Sequence, residues 1–236
     1  MTATEEIVGL VPAAGYATRL QPLASSKEVL EIRGRPVMSF LLDRMRLAGC
    51  SRIRITTRPE KTDVVEYARR EGVEVVLAHP ESVSDSLLAG LAGLPNDAVA
   101  LVGFPDTIWE PDDGFVPLLA EIRAGADIVL GLFEVGEPER CDVVEVSPSG
   151  EVRRISVKPE RAATNLTWGI LAARVASLRG LAGWDEPGRY FDALAGTGTL
   201  RSLRLGGPYD DAGTPSALTR LASDRVYDET GRRDPA

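Results

Sequence analysis

Short apolar runs alternate with amphipathic stretches through the first half of the chain. The apolar runs predict buried strands at Ile7–Val11, Arg52–Thr56, Val73–Leu77, Ala98–Val102 and Asp127–Leu132. The amphipathic stretches predict helices at Val37–Ala48, Asp63–Glu71, Ser84–Leu94 and Gly114–Ala124. Such alternation is typical of parallel strands joined by right-handed helical crossovers. The pattern therefore predicts an α/β fold, with a Rossmann-like doubly wound sheet that is mixed but mostly parallel.

The second half of the chain has a different pattern. Val143–Val146 and Glu151–Val157 flank the turn Ser147-Pro148-Ser149-Gly150 and predict an antiparallel hairpin. Further elements are predicted as strands at Asn165–Ala172 and Thr199–Leu205, and as helices at Ala173–Leu181, Tyr190–Ala195 and Pro215–Ala222. No repeat or linker divides the chain, so we expect one domain over residues 1–225, with a small antiparallel part and a polar tail at 226–236.

Composition narrows the class of protein. The 236 residues are 44% hydrophobic and 26% charged, which is ordinary for a globular domain, and the net charge of −8 argues against a nucleic-acid surface. No apolar run reaches the roughly 20 residues of a membrane span, and the acidic N-terminus does not resemble a signal peptide, so we expect a cytoplasmic protein without membrane contact. Two isolated cysteines and the single His79 argue against disulfides, zinc and imidazole catalysis. Any metal should be a hard cation held by carboxylates.

The segment after the first strand is rich in small residues. It runs from Leu10 to Leu20, contains Gly15 and Arg19, and is followed by Lys27. Small residues let a backbone approach an anion, and the arginine and lysine add donors for phosphate, so the segment could hold a polyphosphate. Its spacing fits neither a P-loop nor a dinucleotide-binding motif. An ordinary strand-to-helix turn with exposed basic residues is an alternative of about equal weight.

Two aspartates follow predicted strands or turns. Asp106 comes after the run 99–102 and should lie at the carboxyl end of a strand, where α/β sheets bind ligands. Taken alone, a turn or cap role for Asp106 is favoured. Asp211 precedes a predicted helix for which Thr214 is the better N-cap, so capping explains Asp211 less well. Two carboxylates with phosphate oxygens would form a typical magnesium site. Lys158 follows the hairpin, and a solvated lysine is its ordinary interpretation.

Together these motifs resemble the sugar-1-phosphate nucleotidyltransferase family, the nucleotide-sugar pyrophosphorylases, and in particular glucose-1-phosphate thymidylyltransferases. The segment at 10–20 is similar to the family's G-x-G-T-R-L loop, and Ser26-Lys27 matches its lysine. Phe104-Pro105-Asp106 falls at the family's Gly-Asp, and Val157-Lys158-Pro159 at its Glu-Lys-Pro. Asp211-Ala212-Gly213-Thr214-Pro215 closely resembles Asp-x-Gly-Thr-Pro. The matches keep the family's order from about residue 7 to residue 222.

The resemblance implies roles for these residues. Arg19 and Lys27 would be the catalytic residues, acting on the departing pyrophosphate and on the phosphates at the reacting centre. Asp106 and Asp211 would hold Mg²⁺. The nucleotide would be bound by Pro12, Ala13, Ala14, Gly15, Tyr16, Ala17, Thr18, Leu77, Ser82 and Val83. The acceptor would be bound by Asp142, Lys158, Trp168 and Gly169. An oxygen of the acceptor phosphate would attack the α-phosphorus of an NTP in line and release pyrophosphate, and family members are commonly homo-oligomers.

Departures from the family pattern leave the substrates open. Leu77 and Ser82 stand where relatives contact the base, and Asp142 and Val157 stand where relatives contact the sugar. Trp168 could equally be a core residue. A phosphorylated acceptor with an amine opposite Asp142 would fit better than glucose 1-phosphate. A cytidylyltransferase acting on a phospho-alcohol or phosphonate, such as phosphocholine, is the close alternative. A non-catalytic nucleotide-sensing homologue ranks lower, because all the phosphate- and metal-binding residues are present.

Overall fold

A computed structural model describes residues 5–16, 25–32, 34–213 and 221. The strands are β1 (Ile7–Pro12), β2 (Glu31–Ile32), β3 (Arg35–Pro36), β4 (Arg52–Thr57), β5 (Glu74–Leu77), β6 (Val99–Gly103), β7 (Thr107–Trp109), β8 (Ile128–Glu134), β9 (Asp142–Val146), β10 (Val152–Val157), β11 (Leu166–Arg174), β12 (Leu200–Arg204) and β13 (Tyr209–Asp211). The α-helices are α1 (Val37–Leu47), α2 (Thr62–Arg70), α3 (Val83–Gly90), α4 (Phe115–Arg123), α5 (Val175–Leu178) and α6 (Pro187–Leu194). Single 3₁₀ turns form at Lys27–Val29, Pro138–Arg140 and Arg179–Leu181.

The central sheet has nine strands and is mixed. On one side of the sheet β6, β1, β4 and β5 are neighbours in that order and run parallel, with β5 at the edge. The long strand β11 is antiparallel to β6 on one edge and to β8 and β9 on the other, and β10 pairs with β9 as the predicted hairpin. β12 runs parallel to β8. The predicted α/β fold, with a parallel part and a smaller antiparallel part, is confirmed.

Both faces of the sheet are covered, as a doubly wound fold requires. Successive side chains of a strand point to opposite faces, and in β1 the side chains of Val8 and Leu10 belong to one core cluster while those of Ile7 and Val11 belong to the other. Helices α1, α2 and α4 contribute to the cluster that contains Ile7. Helices α3, α5 and α6 contribute to the cluster that contains Val8. Burial of both faces explains why the first apolar run lacks polar alternation.

The structure changes several predicted boundaries. The helix predicted from Ala173 is wrong at its start, because Ala173 and Arg174 continue β11 and pair with β6; only Val175–Leu178 and the following 3₁₀ turn are helical. Strands β7 and β13 were not predicted and form a separate two-stranded antiparallel sheet. The helix predicted at Pro215–Ala222 lies, apart from Leu221, outside the described residues. No helix in the described ranges is long and apolar enough to span a membrane.

Candidate active site

Two adjoining cavities open where the central parallel strands end. The larger, about 560 Å³, is lined by the loop after β1, by residues 80–83 before α3 and by Phe104 and Asp106 after β6. The smaller, about 220 Å³, is lined in part by residues of β9, β11 and β13 and by Lys158 after β10. Lys27, Asp106 and Glu186 line both cavities. A ligand in one cavity would therefore meet a ligand in the other at the Lys27–Asp106 pair.

The loop after β1 forms one wall of the larger cavity. Pro12, Ala14, Gly15 and Tyr16 line it, whereas Ala13 is buried behind it and extends the pairing of β1 with β4 by donating its amide to Thr56 O at 2.8 Å. A Cβ built at Gly15 would meet no atom of a described residue within 4 Å, and Gly15 presents its bare backbone to the cavity. Three residues with predicted roles, Ala17, Thr18 and Arg19, lie outside the described residues.

Lys27 and Asp106 form an ion pair at the junction of the cavities. Lys27 Nζ donates to Asp106 Oδ2 at 2.5 Å, and the side chains are 22% and 12% exposed. Burial alone would lower the pKa of Lys27, but the carboxylates of Asp106, Glu28 and Asp211 outweigh burial and raise that pKa. The turn 104–107 is closed by Thr107, which donates to Phe104 O. Asp106 lies inside this turn, as its ordinary interpretation predicts, and its carboxylate is directed to a cation.

The β7–β13 pair brings Asp211 beside Asp106. Asp211 pairs with Thr107 in register, and Ala212 N donates to Asp106 O at 2.8 Å. Asp211 Oδ1 also accepts a hydrogen bond from Gly213 N at 2.6 Å. Within the described residues no group of three or more His, Cys, Asp or Glu side chains is placed to hold a metal. A cation here would need phosphate oxygens and water to complete its coordination, which is the usual way in which Mg²⁺ binds with a substrate.

The smaller cavity contains two acidic side chains, Asp142 and Glu186, close to Lys158. Lys158 Nζ donates to Glu186 Oε1 at 2.7 Å. Burial, followed by the nearby Glu186 carboxylate, raises the pKa of Asp142 to about 6, against the lowering effects of Lys158, Trp168 and Arg189. The backbone of Lys158 has φ of 41°, a left-handed conformation that is costly for a residue with a Cβ and that is found mostly where function requires it. Three of the four predicted acceptor-binding residues, Asp142, Lys158 and Trp168, thus line one cavity.

Trp168 is a core residue that also lines the smaller cavity. Its ring lies 5.4 Å, between centroids, from Phe104 and from Phe191, and the residue is only 5% exposed, so it is a core residue. It also lines the smaller cavity. Gly169 does not line that cavity; a Cβ at Gly169 would instead collide with the buried ring of Tyr209.

The segment before α3 contributes to the larger cavity through Ser82 and Val83. Ser82 is also the N-cap of α3, since its hydroxyl accepts from Asp85 N at 3.0 Å while Asp85 Oδ2 accepts from Ser82 N at 3.1 Å. This capping box fixes the backbone that lines the cavity. Leu77 is 51% exposed at the end of β5 and does not line the larger cavity.

Several residues that line the cavities were not predicted. Arg58 and the acidic pair Asp185-Glu186 line the larger cavity, and Thr167 and Tyr209 line the smaller one. No local sequence pattern marks these residues as part of a site. For the charged ones, a solvated position in a loop is the usual expectation. The pairing of Lys158 with Glu186 depends on the approach of α6 to β10, which the sequence does not specify.

Comparison with known proteins identifies the family. The model of the MobA-like NTP transferase domain matches residues 9–164, which is more than half of the chain, and the chain belongs to this family. This confirms the relationship to sugar-1-phosphate nucleotidyltransferases that the motifs predicted.

Named relatives agree with this assignment. The chain is 26% identical over 165 residues to a UTP–glucose-1-phosphate uridylyltransferase of Haloferax volcanii, covering 66% of this chain and 67% of that protein. It is 28% identical over 165 residues to a glucose-1-phosphate thymidylyltransferase of Neisseria meningitidis, covering 65% of this chain but only 56% of that protein. A Streptomyces griseus glucose-1-phosphate thymidylyltransferase is 30% identical over 168 residues, covering 66% of this chain and 46% of that protein. The chain thus spans about half to two thirds of the length of these relatives.

Solved structures share the whole fold. A Bacillus anthracis protein assigned as a glucose-1-phosphate thymidylyltransferase, solved with a sucrose, superposes with a TM-score of 0.82 at 20% identity, covering 95% of this chain and 98% of that one. A UDP-glucose pyrophosphorylase from Acinetobacter baumanii gives 0.79 at 16% identity, covering 93% and 92%. At such identities the likeness concerns the fold alone.

Proposed function

We propose that this chain is a sugar-phosphate nucleotidyltransferase that joins an NTP to a sugar 1-phosphate or a related phosphorylated acceptor, giving an NDP-sugar and pyrophosphate. The observation that carries this proposal is the meeting of two cavities at the Lys27–Asp106 pair, with Asp211 lining the smaller cavity beside it. The larger cavity would hold the nucleotide, and the smaller would hold the acceptor. The names of the relatives support the same reaction.

The chemistry suits a site without a histidine base. A phosphate monoester has a second pKa of about 6, so the acceptor oxygen is already ionised near neutral pH and needs no general base. Catalysis then depends on alignment and on neutralising charge. Lys158 would hold the acceptor phosphate after releasing Glu186, Lys27 would bind the NTP phosphates, and Arg19 would stabilise the departing pyrophosphate.

The residues present fit a magnesium ion. Asp106 already accepts a hydrogen bond from a cation, Lys27 Nζ, and Asp211 is joined to Asp106 through the backbone. These two carboxylates would be the protein ligands of Mg²⁺, which when bound would neutralise phosphate charge. Lys27 would then exchange Asp106 for phosphate oxygens.

A second candidate function is suggested by three residues of the smaller cavity, Asp142, Glu186 and Trp168. A carboxylate pair beside an indole can face a cationic group, so a cytidylyltransferase acting on phosphocholine or a similar phospho-alcohol would use the same two cavities.

We further propose one domain over residues 1–225, a polar tail at 226–236, a cytoplasmic location, a homo-oligomer, and no nucleic-acid or membrane partner.

The test is pyrophosphate release from a matrix of NTPs and phosphorylated acceptors with Mg²⁺. Wild-type protein should turn over at least one pair, and chelation of the metal should abolish the signal. Asp106→Asn and Asp211→Asn should each lower kcat/KM on the order of 100-fold or more, because each removes a charge that acts at the reacting phosphates.

The matched control is Asp97→Asn. This variant makes the same change at an exposed carboxylate that lines neither cavity, and it should keep wild-type rates. Absence of turnover across the matrix would favour a nucleotide-sensing protein over an enzyme. Full activity in both site variants would overturn the metal assignment.

A further inference from the structure

The segment 57–63, from the last residue of β4 to the first turn of α2, holds the loop after β1 by hydrogen bonds on the side away from the cavity. Lys61 Nζ donates to Ala13 O at 2.8 Å and to Gly15 O at 3.1 Å. Arg58 Nε donates to Ala14 O at 2.9 Å. Three successive carbonyls of the loop are therefore held by two cations.

This arrangement fixes the direction of the loop's amides. In a trans peptide the C=O of one residue and the N–H of the next point in opposite directions. Holding the carbonyls of residues 13–15 therefore turns the N–H groups of Ala14 and Tyr16 away from Lys61 and that of Gly15 away from Arg58, and these three residues line the larger cavity. Within the described part of the chain, the amides of Ala14 and Gly15 donate no hydrogen bond to protein. Successive N–H groups directed into a cavity form an anion-binding surface.

The same segment fixes the turn that contains Lys27. Lys61 Nζ also donates to Glu28 Oε1 at 2.7 Å, and Glu28 is fully buried. Asp63 accepts from Ser26 N at 2.6 Å and from Ser26 Oγ at 2.8 Å. Residues on both sides of Lys27 are thus tied to the segment that holds the loop.

We propose that Lys61 is a positioning residue of the NTP site, which acts through the loop amides and the Lys27 turn rather than by touching substrate. The proposal rests on the proposed function. Lys61 does not line either cavity, whereas Arg58 lines the larger one and stacks over Tyr16 with its guanidinium carbon 4.4 Å from the ring centroid. A substitution at Lys61 therefore tests positioning of the loop without removing a side chain that could contact the substrate, which a substitution at Arg58 would not do.

The test compares Lys61→Met, which keeps most of the apolar stem, with Arg54→Met. Arg54 is a matched control, since it lies on β4 and its Nη1 donates to Gly90 O and Ala92 O at 3.0 and 2.7 Å, away from both cavities. Calorimetric titration with Mg²⁺ and each of ATP, CTP, GTP, UTP and dTTP gives affinity without requiring turnover. Lys61→Met should weaken the tightest-binding NTP about tenfold, as expected for losing hydrogen bonds from a charged group. Arg54→Met should lower the thermal midpoint but leave that affinity unchanged.

Two further variants separate positioning from folding. In Lys61→Met the Glu28 carboxylate is buried without its partner, which destabilises the fold. The double variant Lys61→Met/Glu28→Gln removes that charge, so it should fold even in the case that Lys61→Met fails to fold. It should show the same weakened NTP binding. Lys61→Arg keeps the cation and should recover most of the affinity, while the KM for the acceptor stays within about twofold in every folded variant. Wild-type affinity in the double variant, or equal weakening by Arg54→Met, would overturn the positioning role alone. A wild-type protein that binds no NTP would overturn the proposed function and the positioning role with it.

Discussion

Asp142 is the residue whose charge state most directly concerns the choice of acceptor. Burial and the neighbouring Glu186 carboxylate raise its pKa to about 6, so it is ionised above that pH and neutral below it. The charged groups that act on it are Glu186, Lys158 and Arg189. A Cβ added at Gly188, in the first turn of α6, would collide with the Asp142 carboxylate, so the helix packs directly against it. The carboxylate is thus held in place and has a charge that changes near physiological pH.

We expect acceptors that carry an amine to show this titration. As pH falls through 6, Asp142 loses its charge, and the KM for an aminated sugar phosphate should rise more than the KM for the corresponding unmodified sugar phosphate. A cationic amine lowers the pKa of the phosphate on its own sugar, so the ratio of the two KM values is compared with the same ratio for Asp142→Asn. Between pH 5 and pH 7.5 this ratio should change more in the wild type than in Asp142→Asn. The same pH dependence of the ratio in both proteins would show that Asp142 does not recognise a cation.

At the scale of elements, the short pair β7–β13 assembles the two metal-binding candidates. Its position is set by packing, because the Tyr209 ring stacks on Phe133 with centroids 5.0 Å apart and lies against the backbone of Gly169. Burial, followed by Asp211 and Asp106, raises the pKa of Tyr209 well above its usual value, so the ring stays neutral beside these carboxylates. β11, which contains Gly169, thereby supports the position of Asp211.

Gly169→Ala tests this coupling. The added methyl group would displace Tyr209 and, two residues on, Asp211. We expect a stability loss of about 1–3 kcal/mol, typical of overpacking, and a fall in kcat larger than the loss of folded protein explains. Thermal unfolding and pyrophosphate release measure the two effects.

Gly131→Ala is the control for this variant. A Cβ at Gly131 would collide with Ile170 and Leu205, so the change also overpacks the sheet but does not touch β13. It should lower stability similarly and keep the wild-type kcat per folded molecule. An equal loss of kcat in both variants would contradict the specific link between Gly169 and Asp211.

The sequence predicted the long elements and not the short ones. Runs such as Ile7–Val11 consist of consecutive apolar residues, and this local pattern by itself predicts a buried strand. β7 and β13 have three residues each and pair across about a hundred positions, so their pairing has no local signal. The motif residues Lys27, Asp106, Asp142 and Lys158 could be identified from the sequence, and the structure brings them to two adjoining cavities. The roles of Lys61 and Glu186 could not, because each depends on which loop or helix the fold places opposite a charged side chain.

In the whole molecule, the two halves of the fold contribute different parts of the proposed active site. The parallel half supplies the loop after β1 and Lys27, and the antiparallel half supplies Asp142 and Lys158. The two-stranded sheet β7–β13 joins the halves at Asp106 and Asp211. Proteins with this fold at 16–20% identity keep nearly the whole chain superposable, which shows that the layout tolerates extensive substitution. Under the proposed function, a nucleotidyl group is transferred at this junction, from an NTP in the larger cavity to an acceptor in the smaller one.

Phosphorus NMR of one reaction mixture tests that claim most directly. With Mg²⁺, protein, an NTP and a phosphorylated acceptor, the resonances of both substrates should decline together. Pyrophosphate and a new pair of coupled diphosphate resonances, from the nucleotide joined to the acceptor, should appear in equal amounts. Release of pyrophosphate with a nucleoside monophosphate while the acceptor signal stays constant would indicate hydrolysis and contradict the claim, as would unchanged spectra for every pair of substrates.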